Sequence, residues 1–408
     1  MIDSKKQLSD RFIYYTTFDT MSDPSKSGVS RPTTSCQEVL LKELEKELKE
    51  MGLETYYGEE KVVMGKLKGN TNGKTIGFMA HVDTADDVEG NGVKAQSWKN
   101  YDGKDIELNG LTLSVDENPA LLKYVGSEII TSDGTTLLGS DDKAGVAIIM
   151  EAVKYLTEHP EIKRPDLEIY FTPDEETGSG MSMFPYSRLQ STCCYTVDGG
   201  NEGEVECECF NAASISVDIK GVSIHLGSAR GIFVNAITIA SQIVSSLPQA
   251  ESPEATDGRY GYYCPLELTG TGTEAHLQIF IRDFDDESFQ NRIDSTVKLV
   301  EAIGLIYKGK VETKVSVSYH NMACANKSNP KATEAIFASG EKLGIPLREE
   351  IIRGGTDGAR LAETGVACPN IFTGGHNLHS LKEWVAVDGM NTSMNLLLGI
   401  VDFWSKEA

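Results

Sequence analysis

The chain has 408 residues, of which 40% are hydrophobic and 24% are charged. At roughly 150 residues per domain this length predicts two or three domains, and the ordinary composition argues against intrinsic disorder and against a membrane bundle. With 38 Lys and Arg against 61 Asp and Glu, the formal net charge is −23. Because this charge would repel phosphate backbones and anionic headgroups, nucleic acids and acidic membranes are poor candidate partners.

The amino terminus and the cysteines indicate the compartment. Residues 1–12 mix charges of both signs and have no apolar stretch behind them, which is not the pattern of a secretory signal. No segment approaches the run of about 20 apolar residues that a membrane-spanning helix needs. The eight cysteines are sparse for a chain of this length, and Cys193 and Cys194 are adjacent. A reduced, cytoplasmic protein is the simplest interpretation.

Apolar patterning in the first half of the chain predicts an α/β sheet. Residues 36–51 carry apolar side chains at three- and four-residue spacing, which indicates an amphipathic helix ended by Gly52. Three apolar runs of strand length follow at 76–80, 167–171 and 194–197, with a helical stretch at 144–156 between the first two. Strands separated by helices favour an α/β sheet, in which ligand chemistry collects at the carboxyl ends of the strands.

The middle of the chain has a different pattern. Residues 213–220, 276–282 and 311–319 alternate apolar and polar side chains, as half-buried antiparallel strands do, and helical stretches at 233–247 and 286–303 lie between them. We therefore predict an inserted α+β domain at 210–320 within a discontinuous α/β domain formed by 1–209 and 321–408. The tail returns to α/β character, with a helix at 332–343, Gly-rich turns at 354–358 and 374–375, and a closing helix from Gly389.

Candidate metal ligands follow the first predicted strand and precede the first helix. The spacing of His81 and Asp83 points both side chains the same way from an extended backbone, so that His81 could bind a metal while Asp83 orients its ring. Such a pair taken alone is more often an ordinary surface pair. Asp141 and Asp142 stand at the mouth of a helix, where capping explains one carboxylate but not both, and we favour Asp141 as a ligand.

Further candidates follow the later strands. Asp174, Glu175 and Glu176 form either a solvated acidic turn or a site in which one carboxylate binds metal while its neighbour acts as general base. The third strand leads into Asp198, and a Gly-rich loop carries two of the seven histidines, His376 and His379, which could also be ordinary surface residues. If one carboxylate bridges them, two zinc-like ions could be held by His81, Asp141, Glu176, Asp198 and His379.

Other motifs predict less. Cys207 and Cys209 have no second cysteine pair at zinc-finger spacing, so buried thiols are favoured there. The sequence contains no Walker loop, dinucleotide GxGxxG motif or GxSxG elbow. Nitrogen and oxygen donors without thiolate suit zinc, cobalt or manganese rather than a structural zinc finger.

Taken together, the motifs resemble the peptidase T family of tripeptide aminopeptidases, within the co-catalytic di-zinc metallopeptidases that also include carboxypeptidase G and aminoacylases. The motifs occur in order from Asp19 to about Glu383 and read HVDT, LLGSDDKAG, TPDEETGSG, TVDGG, FNAAS, RDFD, RGGTDGA and PNIFTGGHNLH. The resemblance implies a mixed-sheet α/β di-zinc catalytic domain, with the inserted α+β domain as a lid.

The resemblance also implies two zinc ions per chain that share Asp141, with Co²⁺ or Mn²⁺ as substitutes. Glu175 would be the catalytic base, Asp83 would orient His81, and the peptide bond after Asp141 would be cis. The implied ligands are His81, Asp141 and Asp198 for one ion, and Asp141, Glu176 and His379 for the other.

Residues of the lid and of two loops match substrate-side positions of the family. His225 corresponds to a histidine that assists at the scissile carbonyl, and this oxyanion role is favoured over a structural one, although Leu226 stands where the family usually has proline. His376 stands where near relatives have tyrosine, and it would be a neighbour of the substrate rather than a ligand. The remaining substrate contacts would be Asn235, Arg282 and Arg353, with a structural salt bridge as the alternative for each arginine.

The predicted reaction is hydrolysis of the amino-terminal residue from short peptides, above all tripeptides, by a water that two zinc ions and Glu175 activate. One alternative is a related di-zinc dipeptidase or deacylase with the same metals and different lid contacts. Another is a non-catalytic peptide-binding protein on this fold. The presence of every metal ligand and of the base argues against this alternative. A short peptide is the expected partner, and a homodimer is one alternative for the oligomeric state.

Overall fold

The computed structural model describes residues 1–407 and divides into two compact units. The larger unit comprises residues 1–207, 324–350 and the chain from 356 onward, and the smaller unit comprises 208–323 and 351–355. The smaller unit therefore contains the segment predicted at 210–320 and also a short piece of the RGGTDGA loop.

Helices and strands are interspersed along the chain in both units. The helices are α1 (Lys5–Thr16), α2 (Gln37–Glu50), α3 (Ser140–Glu158), α4 (Ala236–Ser246), α5 (Asp286–Tyr307), α6 (Ala323–Ser328), α7 (Pro330–Leu343), α8 (Asp357–Ala362) and α9 (Val387–Trp404). The strands are β1 (Glu54–Tyr57), β2 (Val63–Leu67), β3 (Ile76–His81), β4 (Gln96–Trp98), β5 (Ile106–Glu107), β6 (Thr112–Leu113), β7 (Ile129–Thr131), β8 (Leu167–Thr172), β9 (Cys193–Gly199), β10 (Glu204–Cys209), β11 (Asn211–Lys220), β12 (Tyr262–Gly270), β13 (Glu274–Asp283), β14 (Lys310–Tyr319), β15 (Arg348–Ile352), β16 (Asn370–Phe372), β17 (Gly375–His376) and β18 (Trp384–Ala386).

A mixed eight-stranded sheet forms the centre of the larger unit. Its order is β1-β2-β8-β3-β9-β16-β10-β15. The strands β8, β3, β9 and β16 are parallel to one another, while β2 joins β8, and β10 joins β16, in antiparallel pairs. The carboxyl ends of the parallel strands therefore lie at one edge, which is where the sequence places its acidic residues and histidines.

Both faces of this sheet are covered by apolar side chains. Ile76, Phe78 and Ala80 of β3 belong to the main core, to which α1, α2, α3, α7 and α9 contribute. Met79 of β3 points the other way, into a second cluster that includes Leu361 of α8. Burial on both faces explains why the parallel strands read as continuous apolar runs in the sequence rather than as alternating ones.

The smaller unit is a four-stranded antiparallel sheet with two helices. Its order is β12-β13-β11-β14, and α4 and α5 pack against it. Alternate residues of β13, among them Leu277, Ile279 and Ile281, form its core with Ile239 and Ile243 of α4. This is the α+β arrangement that the alternating pattern predicts, and the predicted α/β class with a mixed sheet is confirmed for the larger unit.

Some elements differ from the prediction. The helix predicted at 144–156 begins earlier, at Ser140, and the helix predicted at 233–247 begins at Ala236. The sequence pattern did not reveal α1, β12 or the second four-stranded sheet β17-β18-β7-β4. Strands of two or three residues are too short to show a periodicity of two. Within residues 1–407, no helix is both long enough and apolar enough to cross a bilayer.

Candidate metal centre

His81 ends β3 and is buried, with 2% of its surface exposed. Its Nδ1 lies 3.0 Å from the backbone carbonyl of Asp83 and 3.4 Å from the Asp83 carboxylate, both of which can only accept a hydrogen bond. Nδ1 therefore carries the proton in the neutral ring, and the lone pair is on Nε2. Nε2 lies 2.9 Å from Asp141 Oδ1 and 3.3 Å from Asp198 Oδ1.

Asp141 lies in a loop that is held by a residue far along the chain. The fully buried Glu383 accepts hydrogen bonds from the backbone N–H groups of Leu138 (2.7 Å), Gly139 (2.9 Å), Ser140 (2.6 Å) and Asp141 (3.2 Å), and from the Ser140 hydroxyl (2.6 Å). These five bonds fix the position of Asp141 at the start of α3. The peptide bond between Asp141 and Asp142 is cis, as the family resemblance implies.

Asp142 has the capping role that the sequence assigns to one of the two adjacent acids. Its Oδ1 accepts the backbone N–H of Gly145 at 3.1 Å, and its Oδ2 accepts the backbone N–H of His81 at 3.1 Å. Asp142 oxygens also lie near His81 and Asp198 in a geometry that could hold a cation. Because both oxygens already accept a backbone N–H, Asp141 is the better candidate ligand of the pair.

The acidic turn after β8 divides its three carboxylates between different partners. Asp174 accepts hydrogen bonds from Thr33 and Gln37. The backbone N–H groups of Glu175 and Glu176 donate to the two oxygens of Asp83, at 2.9 and 3.1 Å. Asp83 thus fixes this turn against the His81 strand. Glu176 Oε1 is buried and lies 3.1 Å from the Nε2 atom of His379.

Asp198 lies at the end of β9, where α3 approaches the strand closely. A Cβ on Gly145 would lie 1.8 Å from the Val197 carbonyl oxygen, so only glycine allows this approach. The backbone N–H of Asp198 donates to the Asn370 side chain at 3.1 Å. This packing brings the Asp198 carboxylate beside His81.

His379 completes the cluster from a loop before β18. Its Nε2 lies 3.1 Å from Glu176 Oε1 and 3.3 Å from Asp141 Oδ2, while its Nδ1 lies 3.0 Å from Asp87 Oδ2. The His379 backbone has φ of +59°, in the left-handed region that few residues other than glycine adopt. Asp141 therefore has one oxygen beside each histidine, and the five predicted ligands lie together in the larger unit.

Burial and mutual charge change the protonation of this cluster. Burial, followed by the charge of Asp141, raises the pKa of Glu176 to about 7. Burial likewise raises the pKa of Asp198 to about 7. Hydrogen bonds to Asp141 and Glu176 raise the pKa of His379 to about 11. Although burial acts in the opposite direction, hydrogen bonds from His379 and His81 hold the pKa of Asp141 below its usual value.

Glu175 differs from its neighbours in that the charged groups that act on it are acids, apart from His81. Burial, with Asp198, Asp357 and Glu176 nearby, raises the pKa of Glu175 well above its usual value. A half-buried carboxyl group with a raised pKa is suited to accept and return a proton.

His376, predicted as a neighbour of the substrate rather than a ligand, lies in an aromatic cluster. Its ring stacks on Trp384 with centroids 3.8 Å apart, and the edge of Tyr124 is 6.2 Å away. Its Nε2 is buried without a hydrogen-bond partner among the described residues. Burial, assisted by the positive charge of Lys123, lowers the pKa of His376 to about 4.

The smaller unit carries the other predicted substrate-side residues. His225 is exposed, and its Nδ1 accepts the backbone N–H of Gly227 at 3.1 Å. Asn235 caps α4, because its side-chain oxygen accepts the backbone N–H groups of Ile237 (2.9 Å) and Thr238 (3.4 Å).

Both predicted substrate-binding arginines bind backbone carbonyls. Arg282 Nη1 donates to the carbonyls of Ala213 and Ile281, at 3.2 and 2.9 Å. Arg353 donates to the carbonyls of Thr256, Gly258 and Tyr260, and its guanidinium lies 5.0 Å from the centre of the Phe210 ring. The salt bridge that served as the alternative is therefore replaced by bonds to backbone carbonyls, which lie in strands for Arg282 and in a loop for Arg353.

Two residues of the site were missed in the sequence. Asp87 and Glu383 are separated from their partners by 292 and 243 positions. Each is one of 61 acidic residues, and neither follows an apolar run that ends at a strand. No local pattern marks a residue whose only special feature is a distant partner.

The comparisons with known proteins agree with this geometry. Residues 134–402 match the model of Peptidase family M20/M25/M40. A peptidase T from Clostridium novyi (strain NT) is 42% identical over 404 residues, which cover 97% of this chain and 99% of the relative.

Solved structures share the fold. The aminopeptidase PepT from Bacillus cereus ATCC 10987 is 22% identical with a TM-score of 0.78, and the alignment covers 99% of both chains. A tripeptidase from Staphylococcus aureus subsp. aureus Mu50 is 20% identical with a TM-score of 0.79 and the same coverage. A dinuclear metal binding peptidase of the M20 family from Bacillus subtilis is 14% identical with a TM-score of 0.67, over 98% of both chains. The chain therefore belongs to peptidase family M20/M25/M40 and, by its full-length similarity, to the peptidase T group within it.

Proposed function

We propose that the chain is a metal-dependent aminopeptidase that removes the amino-terminal residue from short peptides, with tripeptides preferred. The observation that carries this proposal is the position of Asp141, whose two oxygens lie 2.9 and 3.3 Å from the Nε2 atoms of His81 and His379. The names of similar proteins, a peptidase T, an aminopeptidase and a tripeptidase, support the substrate class.

The donor atoms suit two divalent ions. His81, Asp141 and Asp198 would hold one ion, and Asp141, Glu176 and His379 would hold the other. The buried Glu176 Oε1 lies 3.1 Å from the His379 Nε2 atom, so a cation could take the place of the proton between these two donor atoms. Imidazole and carboxylate donors favour zinc, with cobalt or manganese as substitutes. Such ions polarise the scissile carbonyl and make a nearby water more acidic.

Glu175 is the proposed general base. Its backbone N–H is anchored by Asp83, and its carboxyl group lies in a half-buried, acidic environment that raises its pKa. A carboxyl group of this kind takes a proton from the attacking water and then delivers it to the departing amine. Asp83 serves two purposes in this proposal, since it orients His81 and also fixes the turn that carries Glu175.

His225 is the proposed oxyanion donor. The Gly227 N–H can only donate, so His225 Nδ1 accepts and the proton of the neutral ring is on Nε2. An Nε2–H group on an exposed ring is available to donate to an oxyanion. The ring tautomer supports the role that the family resemblance implies, despite Leu226 at the usual proline position.

The proposed substrate contacts differ in how free their polar atoms are. Asn235 uses its side-chain oxygen as a helix cap, which leaves its NH₂ group for a peptide carbonyl. Arg282 uses Nη1 for backbone carbonyls, and the rest of its fork could pair with a peptide carboxylate. Both Nη atoms of Arg353 donate to backbone carbonyls of its own unit, so its proposed effect is to fix the loop that contains Thr256 and Gly258. His376 would line the substrate side with its ring.

A cytoplasmic location is part of the proposal. Cys193, Cys194 and Cys368 are buried as free thiols. Burial raises the pKa of Cys368 and Cys194, which makes these thiols poorly reactive. Thiols kept in this form are typical of a reducing compartment.

A hydrolysis panel tests the proposal. Free tripeptides, amino-acetylated tripeptides, dipeptides, tetrapeptides and acyl amino acids are incubated with the zinc-loaded protein, and the products are identified by mass spectrometry. We expect release of the first residue from free tripeptides, loss of activity with a chelator and recovery with zinc. Equal cleavage of acetylated tripeptides would contradict an aminopeptidase, and a preference for acyl amino acids would favour a deacylase.

A further inference from the structure

Asp87 contacts His379, although the sequence did not predict Asp87 as a residue of the site. Asp87 lies in the loop after β3, four residues beyond Asp83, and its Oδ2 is 3.0 Å from His379 Nδ1. A carboxylate only accepts hydrogen bonds, so His379 Nδ1 carries the proton of the neutral ring. The lone pair of Nε2 then faces Asp141 Oδ2 and Glu176 Oε1, at 3.3 and 3.1 Å.

Two acids of one loop therefore lie against the two histidines of the cluster, although the shorter contact of His81 Nδ1 is to the Asp83 backbone carbonyl, at 3.0 Å. Asp83 lies against Nδ1 of His81, and Asp87 lies against Nδ1 of His379. In each ring the bond at Nδ1 sets the tautomer that leaves Nε2 free to bind a cation. Nothing else in the described chain hydrogen-bonds to His379 Nδ1.

The two arrangements differ in burial. His81 and Asp83 expose 2% and 0% of their side chains, whereas His379 and Asp87 expose 38% and 61%. Asp83 also accepts two backbone N–H groups, so its loss would disturb the fold as well as the site. Asp87 makes one exposed contact, and exposed ion pairs contribute at most about 1 kcal/mol to stability. Its loss should leave the fold intact.

We propose that Asp87 is a positioning residue for His379 and that it controls the binding of only one of the two metal ions, the one held by Asp141, Glu176 and His379. This inference rests on the proposed function of the site. It assigns a carboxylate partner to the solvent-exposed histidine, and it makes the two metal positions unequal, with the exposed one weaker.

Zinc titration of the full-length chain tests this assignment. The metal-free protein is titrated with zinc against a chromophoric chelator, which gives the affinity of each equivalent. The variants are Asp87→Ala, which removes the carboxylate, Asp87→Asn, whose amide oxygen can still accept from Nδ1, and Asp86→Ala, which removes the adjacent exposed carboxylate as the matched control. Activity is not needed for the readout.

We expect Asp87→Ala to weaken the second zinc equivalent by about 10- to 100-fold and to leave the first unchanged. Asp87→Asn should recover part of the lost affinity, because it restores an acceptor without the charge. Asp86→Ala should match the unchanged protein. Thermal unfolding of the metal-free variants should coincide with that of the unchanged protein, because Asp87 contributes little to the fold.

Two results would overturn the assignment. Wild-type affinity for both equivalents in Asp87→Ala would show that Asp87 does not position a ligand. Equal weakening of both equivalents, or equal weakening in Asp86→Ala, would show a general effect of charge instead. An unchanged protein that binds fewer than two zinc ions would count against the proposed metal centre itself, so the two failures are distinguishable.

Discussion

The carboxylate of Asp83 accepts the backbone N–H of Glu175 at 2.9 Å, although 92 residues separate them. The other Asp83 oxygen accepts the N–H of Glu176 at 3.1 Å, and the same side chain lies beside His81 Nδ1. One fully buried acid thus connects the end of β3 with the turn after β8. Through it, a candidate ligand from one strand and a candidate base from the next are held in a fixed relation.

Asp83→Asn should destabilise the metal-free protein by about 1 to 3 kcal/mol. The new NH₂ group would face a backbone N–H of Glu175 or Glu176, which would leave a buried donor without an acceptor. Urea unfolding in the presence of a chelator measures this change. Asp86→Asn, on the exposed part of the same loop, is the control, and equal midpoints for the two variants would contradict the connecting role of Asp83.

Glu175→Gln should lower kcat by at least about 100-fold, because the amide cannot take a proton from water. The zinc content should stay the same, since Glu175 is not among the proposed ligands. Steady-state kinetics with a tripeptide and metal analysis of the same sample measure both quantities. The exposed Glu59→Gln is the control, and a kcat near that of this control would remove Glu175 as the base.

Glu383→Gln should weaken zinc binding and stability together. The five hydrogen bonds that Glu383 accepts require acceptors at both oxygens, and an amide presents a donor at one of them. We expect a loss of about 1 to 3 kcal/mol in unfolding free energy and weaker binding of both zinc equivalents, because Asp141 is shared. Glu341→Gln, on the exposed side of α7, serves as control. Unchanged zinc affinity in Glu383→Gln would mean that Asp141 does not depend on this loop.

Zinc binding should tighten as pH rises from 6 to 8. Asp198 and Glu176 have pKa values raised to about 7, so each is more protonated at pH 6 than at pH 8. Hydrogen bonds to Asp141 and Glu176 raise the pKa of His379 to about 11, so this ring must also lose a proton to bind a cation. Competition between zinc and protons should change the apparent affinity by at least about tenfold per pH unit. Calorimetry in buffers of different ionisation enthalpy would detect the released protons, and a pH-independent affinity without proton release would contradict this picture.

His376 should make the protein less stable in acid. Burial lowers its pKa to about 4, whereas the unfolded chain has the usual value near 6.5. Below pH 6.5 the unfolded state binds the proton more readily, so this contribution to stability is complete above pH 6.5 and declines as pH falls toward 4. The loss is on the order of 3 kcal/mol.

His376→Phe keeps a ring stacked on Trp384 but cannot take up a proton. Its unfolding free energy should fall less than that of the unchanged protein between pH 6.5 and 4, as measured by urea unfolding at a series of pH values. His159→Phe is a suitable control, because His159 also stacks on an aromatic ring, that of Tyr155, with centroids 4.1 Å apart. Parallel acid curves for His376→Phe and the unchanged protein would refute the assignment.

The sequence predicts the centre of the larger unit well, because its parallel strands are buried on both faces and each ends in a polar motif. His81, Glu176 and Asp198 were identified from those strand ends, Asp141 from the mouth of a predicted helix and His379 from a Gly-rich loop. Their pairwise arrangement was implied by the family resemblance and not by spacing. Capping geometry distinguishes the two adjacent acids: Asp142 accepts the backbone N–H of Gly145, which leaves Asp141 as the candidate ligand.

What the sequence does not predict depends on contacts between distant parts of the chain. Asp87 and Glu383 act on residues that are 292 and 243 positions away. The carbonyl partners of Arg353 are likewise on another loop. The guanidinium that was predicted to bind a carboxylate therefore donates to backbone carbonyls instead. The three-residue strands β7 and β18 pair with each other. This pairing stabilises strands that are too short to be predicted from a sequence pattern.

Anomalous diffraction from crystals of the zinc-loaded protein tests the central claim most directly. Two zinc peaks are predicted, one beside His81 and Asp198 and one beside His379 and Glu176, each about 2.0 to 2.2 Å from a different oxygen of Asp141. A single peak, or two peaks that do not share Asp141, would contradict the account.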